Sequence, residues 1–192
     1  MILSVAAVLR VGAPLLLAVV LQLSGFSQIG ILGGHADLVV LAVAAVAYYG
    51  GSVSGSAAGF AAGCLLDLLS GATMGASSLV LTAVGYGVGR FREVRAPSHG
   101  LLPIPVGAAA TAAWVTAFAA VSLMLDIGAR VSPLVIRDMI VTVLLNALLA
   151  LPLFVGARRV LRPSLAVDPR EVRKRRQPPR EAGPLGLRGL EV

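Results

Sequence analysis

Long apolar stretches separated by short polar breaks dominate the first 157 residues of the chain. A helix needs about 20 apolar residues to cross the ~30 Å hydrocarbon core of a bilayer. The pattern predicts six helices, at residues 11–32, 38–49, 53–69, 76–89, 104–125 and 134–156. The expected fold class is therefore an all-α integral membrane protein with six transmembrane helices.

The second and third predicted helices share a stretch that is short for two spans. Residues 38–69 are 32 in number, whereas two full spans require roughly 40. Gly50, Gly51 and Ser52 cluster in the middle of the stretch, which predicts a turn or kink there rather than one long helix. Either both helices are short, or one of them enters the membrane obliquely.

Composition agrees with the apolar pattern and excludes several kinds of site. The chain is 57% hydrophobic and 13% charged, with a mean hydropathy of +0.91, whereas soluble domains average about 25% charged residues. The single cysteine, Cys64, excludes an internal disulfide and a cysteine-built metal site. His35 and His99 lack the spacing of metal ligands, so we expect no metal and no cofactor.

The basic residues indicate how the chain is oriented. The formal net charge is +7, and ten of the sixteen basic residues follow Gly156. With six helices and a cytoplasmic N-terminus, fourteen of the sixteen lie on the cytoplasmic side, as the positive-inside rule requires. We therefore expect a multi-pass membrane protein with both termini in the cytoplasm, and no nucleic-acid partner.

Two regions follow from these patterns. Residues 1–157 are predicted to form the six-helix transmembrane domain. Residues 158–192 are basic and proline-rich without apolar periodicity, and are predicted to be a disordered cytoplasmic tail. The tail either binds anionic lipid weakly as a topology anchor or docks a cytoplasmic protein.

A row of small residues marks the most specific part of the chain. Glycine recurs every fourth residue at Gly51, Gly55, Gly59 and Gly63, and Asp67 takes the next place. A ridge without side chains lets another helix approach closely. The row packs either against neighbouring helices of this chain or against a partner's helix. Asp67 either binds loop N–H groups or contacts a partner, since acids in membrane helices are commonly functional.

These residues belong to a longer motif that resembles the rod shape-determining protein MreD family. The resemblance rests on Asp37-Leu38 before the second helix, on Gly59-Phe-x-x-Gly63-x-x-x-Asp67, and on Gly75 and Gly85-Tyr86. The family usually has Pro-Asp at the first position, and Ala36 replaces the proline here. The motif covers residues 37–89, and length and topology agree over about residues 10–157. Without the resemblance, Asp37 would be interpreted as a helix N-cap.

The resemblance implies a non-catalytic scaffold of the cell-wall elongation machinery, or elongasome, in the bacterial inner (plasma) membrane. Members of the family partner the bitopic protein MreC and act with a RodA-type glycosyltransferase, a class B penicillin-binding protein and the filament protein MreB. The scaffold would help regulate cell shape and peptidoglycan synthesis. The resemblance also implies a membrane domain similar to the substrate-binding subunit of energy-coupling-factor transporters.

Two other functions were weighed against the scaffold. A small-molecule-binding subunit of a membrane transporter needs a polar pocket, expected near the outer face, where the chain offers Asp37, His35, Asp67, Asp126 and Arg130. Few polar residues lie within the helices, which disfavours a polar solute. A membrane enzyme would show paired acids or a His–Asp set, whereas the acids here are scattered, so no catalytic residue is expected.

Overall fold

The computed structural model describes residues 5–26, 34–71, 73–94, 102–124 and 133–165, and the elements in these ranges are helices. The first helix, α1 (Val5–Leu21), is followed directly by a short π-helical turn, Gln22–Phe26. The α-helices are α1 (Val5–Leu21), α2 (Leu38–Ser70), α3 (Ala76–Val94), α4 (Pro103–Met124) and α5 (Pro133–Leu165).

Within the described ranges, length and composition identify three helices that could cross a membrane. They are Leu38–Ser70, Pro103–Met124 and Leu134–Val160. Large apolar side chains also cover the surface, including Leu17, Phe60 and Leu144, each more than half exposed. A soluble monomer rarely exposes so much apolar surface, so the chain is a membrane protein.

Gly51 divides α2 into two halves, 38–50 and 52–70. Its φ of 85° and ψ of −178° are not helical and lie in a region that is essentially restricted to glycine. A Cβ atom at Gly55 would lie 2.5 Å from the Cβ of Ala47, although residues eight apart in one helix are separated by about 12 Å. The two halves therefore fold against each other, and the predicted turn at residues 50–52 is confirmed.

The first half of α2 is the central helix of the bundle. Leu41, Val43 and Ala44 are fully buried, and the other helices surround them. Gly107 of α4 faces both Leu41 and Ala150 of α5, since a Cβ atom there would lie 2.6 Å from the Ala150 Cβ. A short, wholly apolar helix is typical of such a central position, because it has no polar face to present.

The helices differ from the predicted bounds at several ends. α1 begins at Val5 rather than residue 11, and α3 continues to Val94, so the first charged residues after 89 are helical rather than loop. α5 continues to Leu165 and carries Arg158 and Arg159 beyond the predicted domain end at 157. Arginine and glutamate are good helix formers, so apolar periodicity alone ends a helix too early. Predictions for residues 27–33, 95–101, 125–132 and 166–192 lie outside the described residues.

Candidate functional site

The glycine row on the second half of α2 packs against the backbone of α3. A Cβ atom at Gly55 would overlap the carbonyl oxygen of Gly85, and one at Gly59 would overlap that of Leu81. At Gly63 it would overlap Ser78. Because all three positions meet α3 main chain, the two helices run antiparallel at a distance that only glycine permits.

Asp67 ends this row and binds the start of α3. It is 1% exposed, and its Oδ2 accepts a hydrogen bond from the Gly75 N–H at 2.8 Å. Its Oδ1 accepts a longer one from the Ser77 N–H at 3.3 Å. The first N–H groups of a helix have no partner within the helix, so Asp67 caps α3 from the neighbouring helix.

Glu93 makes the matching contact at the opposite end of the pair. Its Oε1 accepts hydrogen bonds from the Ser52 N–H at 2.8 Å and from the Ser52 hydroxyl at 2.7 Å. Its Oε2 pairs with Arg90 at 3.3 Å. The two bonds from Ser52 hold the pKa of Glu93 below its ordinary value. Each helix of the pair is thus capped by a carboxyl group of the other.

The remaining motif residues have separate places in this pair. Gly71 ends α2 with a φ of 66°, and Gly75 opens α3 with a φ of 99°, both in the left-handed region that favours glycine. Gly85 is buried against Gly55. Tyr86, the next residue, is 54% exposed on the outer side of α3. The structure therefore brings Gly55, Gly59, Gly63, Asp67, Gly75 and Gly85 together and leaves Tyr86 on the surface.

Asp37 belongs to a second, separate cluster. It occupies the N-cap position of α2, but its side chain makes no capping bond, so its interpretation as a side-chain cap is wrong. Gln22 supplies the cap instead, since its Oε1 accepts from the Val39 N–H at 2.9 Å. The Gln22 amide also donates to Asp37 Oδ1 at 3.0 Å, which draws the carboxyl group away from the helix.

Asn146 of α5 completes this cluster, which we call the polar hub: Gln22, Asp37, Thr111 and Asn146. The Asn146 Oδ1 accepts from the Asp37 N–H at 3.0 Å, and its Nδ2 donates to the Thr111 hydroxyl at 3.0 Å. Asn146 and Thr111 are fully buried. A buried amide left without partners is costly, so the hub fixes α1, α4 and α5 around the start of α2.

The hub lies midway along α4 and α5, at the start of α2 and directly after the end of α1. Asn146 is near the middle of the candidate span Leu134–Val160. The chain just before Asp37 also runs along α5, where the His35 N–H donates to the Thr142 hydroxyl at 3.1 Å. His35 and Asp37, which the sequence places near an outer-face pocket, bond to residues near the middle of α5. The first half of α2 begins midway along α5, which explains why residues 38–69 are too few for two spans.

Aromatic residues and an arginine meet at the other end of the first half of α2. The rings of Tyr48 and Tyr49 pack within 6.3 Å of Phe154 on α5, and the Tyr49 hydroxyl donates to the Phe154 carbonyl oxygen at 3.3 Å. The Arg92 guanidinium lies 5.4 Å from the centre of the Tyr48 ring, within cation–π range. Trp114 is buried and stacks on Phe118, as its position within a helix predicts.

The chemistry of these clusters is that of packing and capping. Within the described ranges, no three His, Cys, Asp or Glu side chains are grouped so that they could hold a metal ion. The sequence reasoning missed the polar hub and Glu93. A signal for the hub was present, because Asn146 is the sole asparagine of the chain and stands within an apolar helix.

Comparison with protein families agrees with the motif that joins α2 and α3. The family model described as rod shape-determining protein MreD matches residues 6–162. No match was found among curated proteins or among solved structures. The family match covers α1 to α4 and nearly all of α5, well over half of the chain. The chain therefore belongs to the rod shape-determining protein MreD family.

Proposed function

We propose that this protein is a non-catalytic membrane scaffold of the bacterial cell-wall elongation machinery. Membership of the MreD family carries the proposal, because it makes the chain a membrane protein concerned with cell shape. In this role it would bind an MreC-like bitopic protein and, with it, a RodA-type glycosyltransferase and a class B penicillin-binding protein. The internally bonded clusters support a structural rather than a catalytic role.

The proposed topology is six membrane segments with both termini in the cytoplasm. The break at Gly51 supports it, since it makes two helices of α2. The arginines at the end of α3 and at positions 158 and 159 of α5 support the orientation, because they place positive charge at one end of the bundle. Similarity to the substrate-binding subunit of energy-coupling-factor transporters remains an expectation from the family resemblance.

An exposed face of the second half of α2 is the surface that we propose for the MreC-like partner. Gly55, Gly59 and Gly63 are occupied by α3, so the partner would contact the opposite side, where Val53 is 74% and Phe60 is 59% exposed. Apolar side chains at helix spacing are suited to packing against a single transmembrane helix. The partner role of Asp67 would then be indirect, through the orientation of this helix.

Co-purification tests the proposal. The full chain is expressed together with the MreC-type protein of the same organism, extracted in mild detergent and passed over a size-exclusion column. We expect a stoichiometric complex, which Phe60→Ala weakens and Leu144→Ala, an exposed change on α5, leaves intact. A wild-type protein that elutes alone would count against the scaffold, and a complex equally insensitive to both variants would count against this surface.

A further inference from the structure

Asp37 is the acidic member of the polar hub, and its carboxyl group receives only neutral donors. The Gln22 amide donates to its Oδ1 at 3.0 Å. The Trp114 side chain of α4 lies beside the same carboxyl group, where its indole N–H favours the ionised form. No described residue forms an ion pair with Asp37. An acid within a membrane bundle that has no basic partner is a candidate functional group.

His35 is the titratable neighbour of this carboxyl group. It lies two residues earlier in the chain, and a positive charge on its ring favours the ionised form of Asp37. The His35 side chain is exposed, while its main-chain N–H donates to the Thr142 hydroxyl at 3.1 Å. A histidine gains or loses its charge near neutral pH, so the charge beside Asp37 itself depends on pH.

The helices around the hub add no other titratable group close to Asp37. The whole of α4 contains no ionisable residue. On the other helices, the nearest ionisable residues are at least eight positions from the hub residue of the same helix: Arg10 on α1, Tyr48 on α2, and Arg137 and Asp138 on α5. Eight positions are about 12 Å of helix. Among the described residues, His35 is therefore the one that adjusts the charge of this acid.

We propose that Asp37 and His35 form a proton-operated switch at the point where α1, α2 and α4 meet. The ionised carboxyl group accepts from Gln22 and lies against the Trp114 N–H. Protonation replaces an acceptor by an O–H donor, so the contacts with α1 and α4 change together. Gln22 passes the change to α2, because its Oε1 also caps the Val39 N–H at 2.9 Å. The switch goes beyond the scaffold function and does not depend on the MreC-like partner.

The sign of the effect of pH on stability follows from burial. Burial raises the pKa of Asp37 to about 6, although His35, Gln22 and Trp114 act in the other direction. Between the ordinary value of 3.8 and about 6, the folded protein holds a proton that the unfolded chain releases. This stabilisation is complete below pH 3.8 and is lost as the pH rises through about 6.

The fluorescence of Trp114 reports the switch, because Trp114 is the single tryptophan of the chain. The emission spectrum of the full chain in detergent is recorded between about pH 8 and pH 5. We expect the emission maximum to shift with a midpoint near pH 6, since a charge beside an indole changes the energy of its excited state. Asp37→Asn should abolish the shift. Asp138→Asn, the same change in an exposed ion pair, should leave it intact.

His35→Ala tests the coupling between the two groups. It should move the midpoint to higher pH, because the carboxylate loses the cation that favours it. The His35 side chain is exposed, so its removal leaves the packing of the bundle unchanged. The melting temperature of the wild-type protein should also rise as the pH falls from about 7 to 5, while that of Asp37→Asn stays level.

Three results would overturn the switch. They are a wild-type emission spectrum that is constant over this pH range, an equal shift in Asp37→Asn, and a midpoint that His35→Ala leaves in place. If Asp37→Asn does not fold, the His35→Ala midpoint decides alone. A purely structural role of Asp37 would not make its titration depend on the charge of an exposed imidazole.

Discussion

Two carboxyl side chains connect residues that are distant in sequence. Asp67 bonds to N–H groups eight and ten residues later, and Glu93 bonds to Ser52, 41 residues earlier. Both bind main-chain N–H groups at the start of a helix, where negative charge is favourable. At the residue scale, these two acids set where the second half of α2 and all of α3 begin.

Asp67→Asn should leave the protein folded but less stable. The amide keeps one acceptor and turns an NH₂ group toward a second N–H, which leaves a buried donor without a partner. A loss of about 1–3 kcal/mol is expected from such a change. Thermal unfolding in detergent, followed by circular dichroism, measures it. Asp138→Asn, in an exposed pair with Arg137 at 3.7 Å, is the control, and equal effects of the two changes would contradict the capping role.

Glu93→Gln should alter the acid sensitivity of the fold. Because the pKa of Glu93 is lowered in the folded protein, its stabilising effect is complete above the ordinary value of 4.5 and is lost as the pH falls through the folded value. The wild-type melting temperature should therefore fall more steeply below about pH 4.5 than that of the variant. Parallel pH profiles for the two proteins would refute this.

Of these two acids, only Asp67 is recognisable from the sequence, and the reason is physical. Asp67 stood out because it is a lone acid in a long apolar stretch. Glu93 did not, since it lies among Arg90, Arg92 and Arg95, where an acid is unremarkable. Glu93 meets its partner, Ser52, only when α3 packs against α2. No local sequence pattern encodes a contact between residues 41 positions apart.

At the element scale, the glycine row determines how closely α2 and α3 approach. Gly59→Ala should prevent normal packing, because the added methyl group would overlap the Leu81 carbonyl oxygen. Gly87→Ala on the open side of α3 should be neutral or stabilising by up to ~1 kcal/mol, the helix-propensity difference. Size-exclusion profiles after heating distinguish the two. Equal heat stability would show that the helices can separate at little cost.

The break within α2 was predictable, whereas its consequence was not. Gly50, Gly51 and Ser52 indicate a turn from composition alone, and Gly51 provides it with a φ of 85°. That the first half begins midway along α5 depends on the bond from Asp37 to Asn146, 109 residues apart. The predicted C-terminal ends of α3 and α5 precede the observed ends. Apolar periodicity stops where the sequence becomes charged, whereas both helices continue.

At the scale of the whole molecule, the polar hub adds buried hydrogen bonds to the apolar packing between α2, α4 and α5. Asn146→Ala should lower stability by about 1–3 kcal/mol, because the Asp37 N–H loses its buried acceptor. Thr116→Val is the control, since the exposed Thr116 hydroxyl bonds only within α4 in the described contacts. Unfolding curves in detergent compare the two variants. If Asn146→Ala destabilises the protein no more than Thr116→Val does, the hub does not hold the bundle together.

The proposed topology has a direct test that uses the single cysteine. In a Cys64→Ser background, Met74→Cys and Val160→Cys each place one thiol at an exposed position at opposite ends of the bundle. A membrane-impermeant maleimide added to spheroplasts should label the first and not the second. Labelling of Val160→Cys alone would reverse the orientation, and labelling of both would refute the proposed six-segment arrangement.

The reciprocal caps have a consequence for how the molecule can move. A slip of α3 along α2 by one turn, ~5.4 Å, would uncover the first N–H groups of both helices at once, because each carboxyl cap would lose its partners. The caps therefore oppose sliding of one helix along the other, and the non-helical backbone at Gly51 is the place where the pair would turn as a unit. A signal from a partner would then reach the rest of the bundle as rotation about Gly51 rather than as sliding between the two helices.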